Sequence, residues 1–269
     1  MKNLDVIHNV LLDMLKDLDA FCRANGIRYS LAYGTALGAA RHGGFIPWDD
    51  DLDIMMTREN YDRFLSLFKD TETYTLQRER TDYPLYFSKL RKNNTTFIEN
   101  IKYRKRWAHI HQGIYIDIFP ADKVARNAFP RFVQTFFSNI LISQSLFLRG
   151  YQTKNIAKWG FMLASSLLVP FRTQMFRFVK KFNKKQDCEL YCCFSGDTRK
   201  VFIRKNQLEN LRVAHFNGVC GGGGICAWMI WIPIWKLPMA TGKHCRTKMN
   251  ARQKYTREFL PSIKITRNS

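Results

Sequence analysis

The segment YGTALGAARHGGFIPWDDDLDI, residues 33–54, constrains this chain more than any other part of it. A glycine-led turn, Gly34-Thr35, is followed by four carboxylates in five positions: Asp49, Asp50, Asp51 and Asp53. If residues 52–56 form a strand, alternation sets Asp51 and Asp53 on one face. Two carboxylates on one face can hold a hard divalent cation through oxygen, as phosphate-handling Mg²⁺ sites require. The small turn beside them lets backbone N–H groups approach a phosphate. A calcium loop would want glycine at the sixth position and glutamate at the twelfth, where this chain has Ile54 and Asn60. A solvated turn fits poorly with Phe45, Ile46, Pro47 and Trp48 before the run and Leu52 and Ile54 after it. Carboxylates in so apolar a setting need a counter-charge, and a metal supplies it.

Apolar residues at Leu4, Ile7, Leu11, Met14, Leu18 and Phe21 predict a helix over residues 4–25, ended by Asn25-Gly26. A strand is expected over 27–33, leading into the glycine turn. Thr57 should cap a helix with Glu59 in its first turn and Tyr61, Phe64 and Phe68 facing inward. Short strands are expected at 74–76, 86–90 and 95–98. Residues 113–120, GIYIDIFP, read as a strand closed by Pro120 and carrying a lone carboxylate, Asp117. Buried aspartates are rare without a partner. Asp117 is therefore either salt-bridged to a nearby cation or a third metal-side carboxylate beside Asp51 and Asp53. The alternating elements up to residue 122 predict a mixed α/β (α+β) core with flanking helices. A glycine turn, paired aspartates on one strand and a further aspartate on a later one make a nucleotidyltransferase-type layout. Two-metal phosphoryl transfer is its natural chemistry.

Two parts are expected: a catalytic core over 1–122 and a mostly helical, basic region over 123–269. A chain 46% hydrophobic and 14% aromatic has a real core and is not disordered. The net charge of +21 is uneven: residues 1–122 hold 17 basic and 17 acidic side chains, and residues 123–269 hold 26 and 5. A basic half beside a balanced one that bears the aspartate run suits a polyanion: nucleotide, phosphate-bearing glycan, anionic membrane or nucleic acid. Residues 128–185 read as helical with a break at Pro170. The uncharged runs 132–148 and 159–171 fall short of a membrane span, which needs roughly 20 mostly apolar residues. They predict a buried helical layer, with surface attachment through the basic helices left open. The N-terminus reads as an amphipathic helix and not a signal peptide. Seven cysteines, an odd number with no CxxC pair, argue against a disulfide scaffold and for a reducing cytoplasm. The spacing of the C-terminal cysteines fits no common zinc pattern. Residues 220–235, CGGGGICAWMIWIPIW, have no periodicity that predicts a stable element.

GTALGAARHGGFIPWDDDLDI resembles the signature of the LicD family of phosphotransferases, relatives of the fukutin-like proteins within the nucleotidyltransferase-fold superfamily. IRYSLAYGT, TRENYDRFL, FSKLRKNNTTFIE and GIYIDIFPAD also resemble that family, in the same order, so the likeness runs over roughly residues 4–122. The resemblance implies that Gly34 and Thr35 cradle phosphate and that Asp51, Asp53 and Asp117 are the catalytic, metal-holding carboxylates. Arg41 and His42 fall in its RHxGFIPWDDD string, and Lys89 and Arg91 on its basic strand could neutralise nucleotide phosphates. The implied cofactor is Mg²⁺ or another divalent cation such as Mn²⁺. The implied reaction moves phosphocholine, or a related phospho-alcohol, from a CDP-alcohol donor to a glycan or glycolipid acceptor such as teichoic acid, lipopolysaccharide or capsule. Trp48 and Tyr33 are the aromatic faces near enough in sequence for a choline head group, although both also read as core. A cytoplasmic protein, with peripheral contact at the inner face of the membrane, would follow, and nucleic acid is not an expected partner. Two alternatives stand beside this reading: a nucleotidyltransferase that adds a nucleotide to a sugar, small molecule or protein, and a non-catalytic module that binds polyanions or membrane. The resemblance fails in the last quarter, where residues 220–234 replace the family's amphipathic helix. A local shift of reading frame in the coding sequence is one reading of that break.

Overall fold

The structure is a computed structural model that describes residues 2–81, 83–98, 109–184, 188–196, 200–216 and 225–229. The chain opens with α1 (Lys2–Ala24), β1 (Ser30–Leu31), α2 (Tyr33–His42), β2 (Asp53–Thr57), α3 (Arg58–Leu67), β3 (Tyr74–Gln77), β4 (Ser88–Lys92) and β5 (Tyr115–Lys123). Three helices follow: α4 (Ala128–Leu148), α5 (Ile156–Ser166) and α6 (Arg172–Lys180). The described chain closes with β6 (Leu190–Cys192), β7 (Phe202–Arg204), α7 (Lys205–Glu209), β8 (Arg212–Phe216) and β9 (Ile225–Met229). These strands make one mixed sheet in the order β3-β4-β5-β2-β1-β9-β8, with β6 on β5 and β7 on β6. The β2–β5 and β1–β9 pairs are parallel and the others antiparallel. The expected mixed α/β class is what the chain adopts, and strands from both ends of the sequence share its sheet.

Alternation gives that sheet two unlike faces. Ile54, Met56, Ile116 and Ile118 enter the main core, where they meet Leu11, Leu15 and Leu18 of α1 and Tyr61 and Phe64 of α3. Met55, Phe119 and Ala121 point the other way, into a smaller cluster with Tyr191, Cys193, Ile203 and Leu208. Asp53 and Asp117 share that second face. Thr57 caps α3 as expected, its hydroxyl accepting from the Asn60 N–H.

Several expectations are corrected. The strand over 27–33 shrinks to two residues because Tyr33 already starts α2, so Gly34-Thr35 is a first helical turn and not a free loop. β2 begins at Asp53, which leaves Asp51 in the connection before it. Residues 95–98 form no strand; the Thr95 hydroxyl there accepts from the Ile114 N–H at 3.0 Å and donates to the Lys92 carbonyl at 2.8 Å. Pro120 does not close β5. The pairing with β4 stops at Ile118, so Pro120 borders only β2 and its missing N–H breaks no ladder. β9 forms inside the stretch that predicted no element, where β1 and β8 supply partners on either side. The rest of that stretch, together with Cys220, Cys245 and residues 230–269, lies outside the described residues. Cys22, Cys188, Cys192 and Cys193 are free and buried.

The expected buried helical layer holds on one side only. Ile140 and Leu141 of α4 pack with Met175, Phe176 and Val179 of α6 against Val124 and Phe194. The outer sides of α4 and α5 are exposed and apolar. Among the described residues, no helix is long and apolar enough to cross a membrane.

Candidate metal and phosphate site

Strand register builds the site. Gln77 pairs with Lys89, Lys89 with Asp117, and Asp117 with Asp53, a row of polar side chains across β3, β4, β5 and β2. Lys89 is 2% exposed, and its Nζ lies 2.6 Å from Asp117 Oδ1 and 3.5 Å from the centre of the Tyr115 ring. The salt bridge considered for Asp117 is thus present, and Asp117 also stands beside Asp53. The Asp53 backbone is tied at both ends: its N–H donates to Thr35 Oγ1 at 2.8 Å and its carbonyl accepts from the Ala32 N–H at 2.9 Å. The Asp117 N–H reaches the Leu52 carbonyl at 2.9 Å. The start of α2 and the start of β2 are thereby one unit, and Thr35 is the buried link between them.

The run before β2 folds back over α2. A Cβ placed on Gly34 would lie 2.7 Å from Asp49 Oδ2, so only glycine lets that carboxylate approach the first turn of the helix. Gly38 is needed as well, because a Cβ there would collide with the Gly44 carbonyl in the returning loop. From the far side, the His8 ring nitrogen contacts the Asp49 carbonyl oxygen at 2.7 Å, while the ring stacks on Phe45 at 4.3 Å. Burial first, then the charges of Asp51, Asp117 and Asp49, pushes the Asp53 carboxyl well above the usual carboxylate range, and Lys89 opposes the shift. Tyr33 enters α2 at φ 44°, a left-handed conformation that costs a bulky residue energy, and its ring meets Phe119 edge-on at 5.1 Å. Burial raises the Tyr33 hydroxyl's pKa well above its ordinary value, with Cys193 and Asp53 adding to the effect.

Asp49, Asp50 and Asp51 each offer an oxygen within 4.8 Å of the others. The donors are hard oxygens with crowded negative charge, and they fit a hard divalent cation. This triad shares only Asp51 with the set implied by the family resemblance. Asp49 and Asp50 were legible as part of the aspartate run, but nothing in strand alternation singles them out. Asp53 and Asp117 form the adjoining row.

The other implied residues spread outward. Arg91 is 1% exposed and donates to Gln77 Oε1 at 2.9 Å and to the Gly113 carbonyl at 3.0 Å, away from the carboxylates. Arg41 and His42 lie exposed in the last turn of α2, roughly 12 Å along the helix from Gly34 at 1.5 Å per residue. Trp48 is 43% exposed and sits edge-on to His42 at 6.4 Å. A separate cleft of about 480 Å³ opens at the other end of β2, lined by Met55, Thr57, Asn60, Lys123 and Asn183.

A family profile described as LicD/FKTN/FKRP, nucleotidyltransferase domain, matches residues 26–139. The lipopolysaccharide cholinephosphotransferase LicD of Haemophilus influenzae is 38% identical over 119 residues, 43% of this chain and 43% of that protein. An uncharacterised protein of Rickettsia prowazekii is 39% identical over 72 residues, 26% of this chain and 27% of its own length. Human ribitol 5-phosphate transferase FKRP is 61% identical over 31 residues, 12% of this chain and 6% of that protein. The chain thus spans less than half the length of these relatives. The matched region contains the aspartate run, the Lys89–Asp117–Asp53 row and the α2 turn that anchors it, so over residues 26–139 the chain is similar to the nucleotidyltransferase domain of the LicD/FKTN/FKRP family.

Proposed function

We propose that this chain is a metal-dependent enzyme that transfers phosphocholine, or a related phospho-alcohol, from a CDP-activated donor to a cell-surface glycan. The observation that carries the reading is the Asp53–Asp117 pair in register beside the Asp49–Asp51 cluster, within a LicD-like domain. Asp51, Asp53 and Asp117, with Asp49 and Asp50 alongside, would hold a divalent cation, Mg²⁺ or Mn²⁺ by their oxygen chemistry. When bound, that cation supplies charge neutralisation to the phosphates and to the departing CMP. Thr35 fixes the Asp53 backbone, so the carboxylate row is set before substrate arrives. Lys89 balances Asp117 and keeps it aimed along the row. The exposed Trp48, with His42 and Arg41 near it, offers an aromatic face and cationic groups to a donor head group and its phosphate.

The donor alcohol is the second question, because the stretch shared with a ribitol 5-phosphate transferase favours a polyol as the runner-up to choline. The purified chain, Mg²⁺ and a glycolipid acceptor should release CMP from CDP-choline or from the CDP-activated ribitol phosphate, with the alcohol phosphate appearing on the acceptor. Release of pyrophosphate from a nucleoside triphosphate in place of CMP would mark a nucleotidyltransferase instead.

A further inference from the structure

Helix α4 buries several polar side chains and exposes three phenylalanines. Its buried positions include Gln134, Ser138, Gln144 and Ser145, while Phe129 is 76% and Phe132 66% exposed. Most of the inward polar groups find partners, although Asn139 Oδ1 and Gln144 Oε1 are buried without one. Gln134 accepts from the Ala125 N–H and donates to the Lys123 and Val179 carbonyls. Ser138 donates to the Phe194 carbonyl, and the Gln144 amide to the Ser165 carbonyl. Ile140, Leu141 and Ile142 are buried on the same side, so the departure from the pattern water imposes lies in the exposed Phe129, Phe132 and Phe136. α5 is exposed on most of its surface: of its 11 residues only Met162 and Ser165 are buried. Phe129, Phe132 and Phe136 on α4, and Ile156, Trp159 and Leu163 on α5, are exposed at the same i, i+3, i+7 spacing, so each helix carries one outward apolar stripe. Leu167, 77% exposed, and Phe171 extend the second stripe.

Charge identifies the occupant. Residues 123–184, which contain both stripes, hold 11 lysines and arginines and no aspartate or glutamate. An apolar stripe flanked only by cations, on helices not long and apolar enough to cross a membrane, matches an element lying in the interface of an anionic membrane. We propose that the outer face of α4 and α5, continuing through Phe171, docks this chain on the surface of an anionic phospholipid bilayer. Docking stands independently of the transferase reading. A cavity of about 140 Å³ lies between the helices and the sheet, lined by Ile142, Leu146 and Lys158 on one side and by Phe87 and Gly196 on the other. Joined to the transferase reading, docking would hold the carboxylate row beside a lipid-anchored acceptor.

The test is flotation of the full chain with phosphatidylcholine vesicles, with and without phosphatidylglycerol. The wild type should float with the anionic vesicles, float less with neutral ones, and lose binding as salt rises. Trp159→Ser with Leu167→Ser, both at exposed positions, should lower the partition coefficient at least about tenfold while leaving the thermal melt unchanged. Brominated lipid should quench wild-type tryptophan fluorescence, and Trp159→Phe should remove much of that quenching. Wild type that does not float with anionic vesicles, or a double variant that floats as well as wild type, overturns the proposal. So does light scattering that shows a dimer dissociated by the double variant, because the face would then join two copies of the chain. The binding readout needs no turnover, so failure here and failure of the transferase assay are separate results.

Discussion

The surroundings of Asp53 oppose its ionisation. Its folded pKa stands well above the value near 3.9 expected of an unfolded chain, through burial and three neighbouring carboxylates. The linkage runs one way: below the unfolded pKa both states are protonated and there is no penalty, and as pH rises toward the folded pKa the unfolded state ionises first and stability falls. Metal-free protein should therefore lose thermal stability as pH rises above about 4, where the unfolded aspartate begins to ionise. A divalent cation binds the ionised form, so the melting-temperature gain from Mg²⁺ should grow with pH over the same range. Asp53→Asn should flatten both trends and raise the metal-free melting temperature at neutral pH by about 2 °C or more, the scale of a 1 kcal/mol gain in a chain this long. Scanning calorimetry across pH, with and without Mg²⁺, checks this; a variant with the wild-type pH slope would place the electrostatic strain elsewhere. Asp51→Asn and Asp53→Asn should each abolish CMP release while the chain stays folded, and a double variant with full activity would sink the proposed site. The carboxylates were legible as residues because four aspartates among aromatics need an explanation. Which of them converge was not legible, since that depends on Gly34 admitting Asp49 and on β2 starting only at Asp53.

Elements rather than residues decide where the helical layer meets the sheet, and Gln134 of α4 is the joint. Its side chain makes three hydrogen bonds to the backbone, with Ala125 and Lys123 at the exit of β5 and with Val179 of α6, the first and last of them buried. Gln134→Ala would leave those groups unpaired in a dry setting, at about 1–3 kcal/mol for each unsatisfied group not rescued by water. Urea unfolding should show a midpoint drop worth about 2–4 kcal/mol with an unchanged slope, since the same surface is exposed. A loss under about 0.5 kcal/mol, the range of an ordinary surface substitution, would mean that water already serves these groups. Periodicity found α1 and α3 because their apolar residues face one core. It misread α4, because its phenylalanines mark the helix without saying that they face outward. Short pieces were lost for a related reason. β1 has only two residues, and β9 is a strand because β1 and β8 flank it, so its identity lies in its neighbours. Pro120 misled because its effect depends on where β4 ends.

Across the whole molecule, a buried ion network ties the sheet to the helices. Arg58, the first residue of α3, holds Asp122 at the end of β5 through two bonds, Nε to Oδ1 at 2.7 Å and Nη2 to Oδ2 at 3.1 Å. Its third nitrogen reaches Glu79 at 3.3 Å, and Lys180 of α6 meets the same carboxylate at 3.3 Å. Asn183, beyond α6, donates to Asp122 at 2.7 Å, and Tyr61 carries the network to Ser88 of β4 at 2.6 Å. Sheet, α3 and α6 therefore share one set of charges, which fixes the proposed docking face relative to the carboxylate row. Arg58→Met leaves Asp122 buried without its main counter-charge and should cost about 3–5 kcal/mol, the scale for removing one partner of a buried pair. Arg58→Met with Asp122→Leu removes both charges and should recover a large part of that loss, because desolvation is then no longer uncompensated. Chemical unfolding of the two single variants and the double closes the cycle. If the double variant loses as much as the two singles combined, the network is not a coupled pair and α6 must be held to the sheet by the Tyr86, Phe176 and Val179 packing alone.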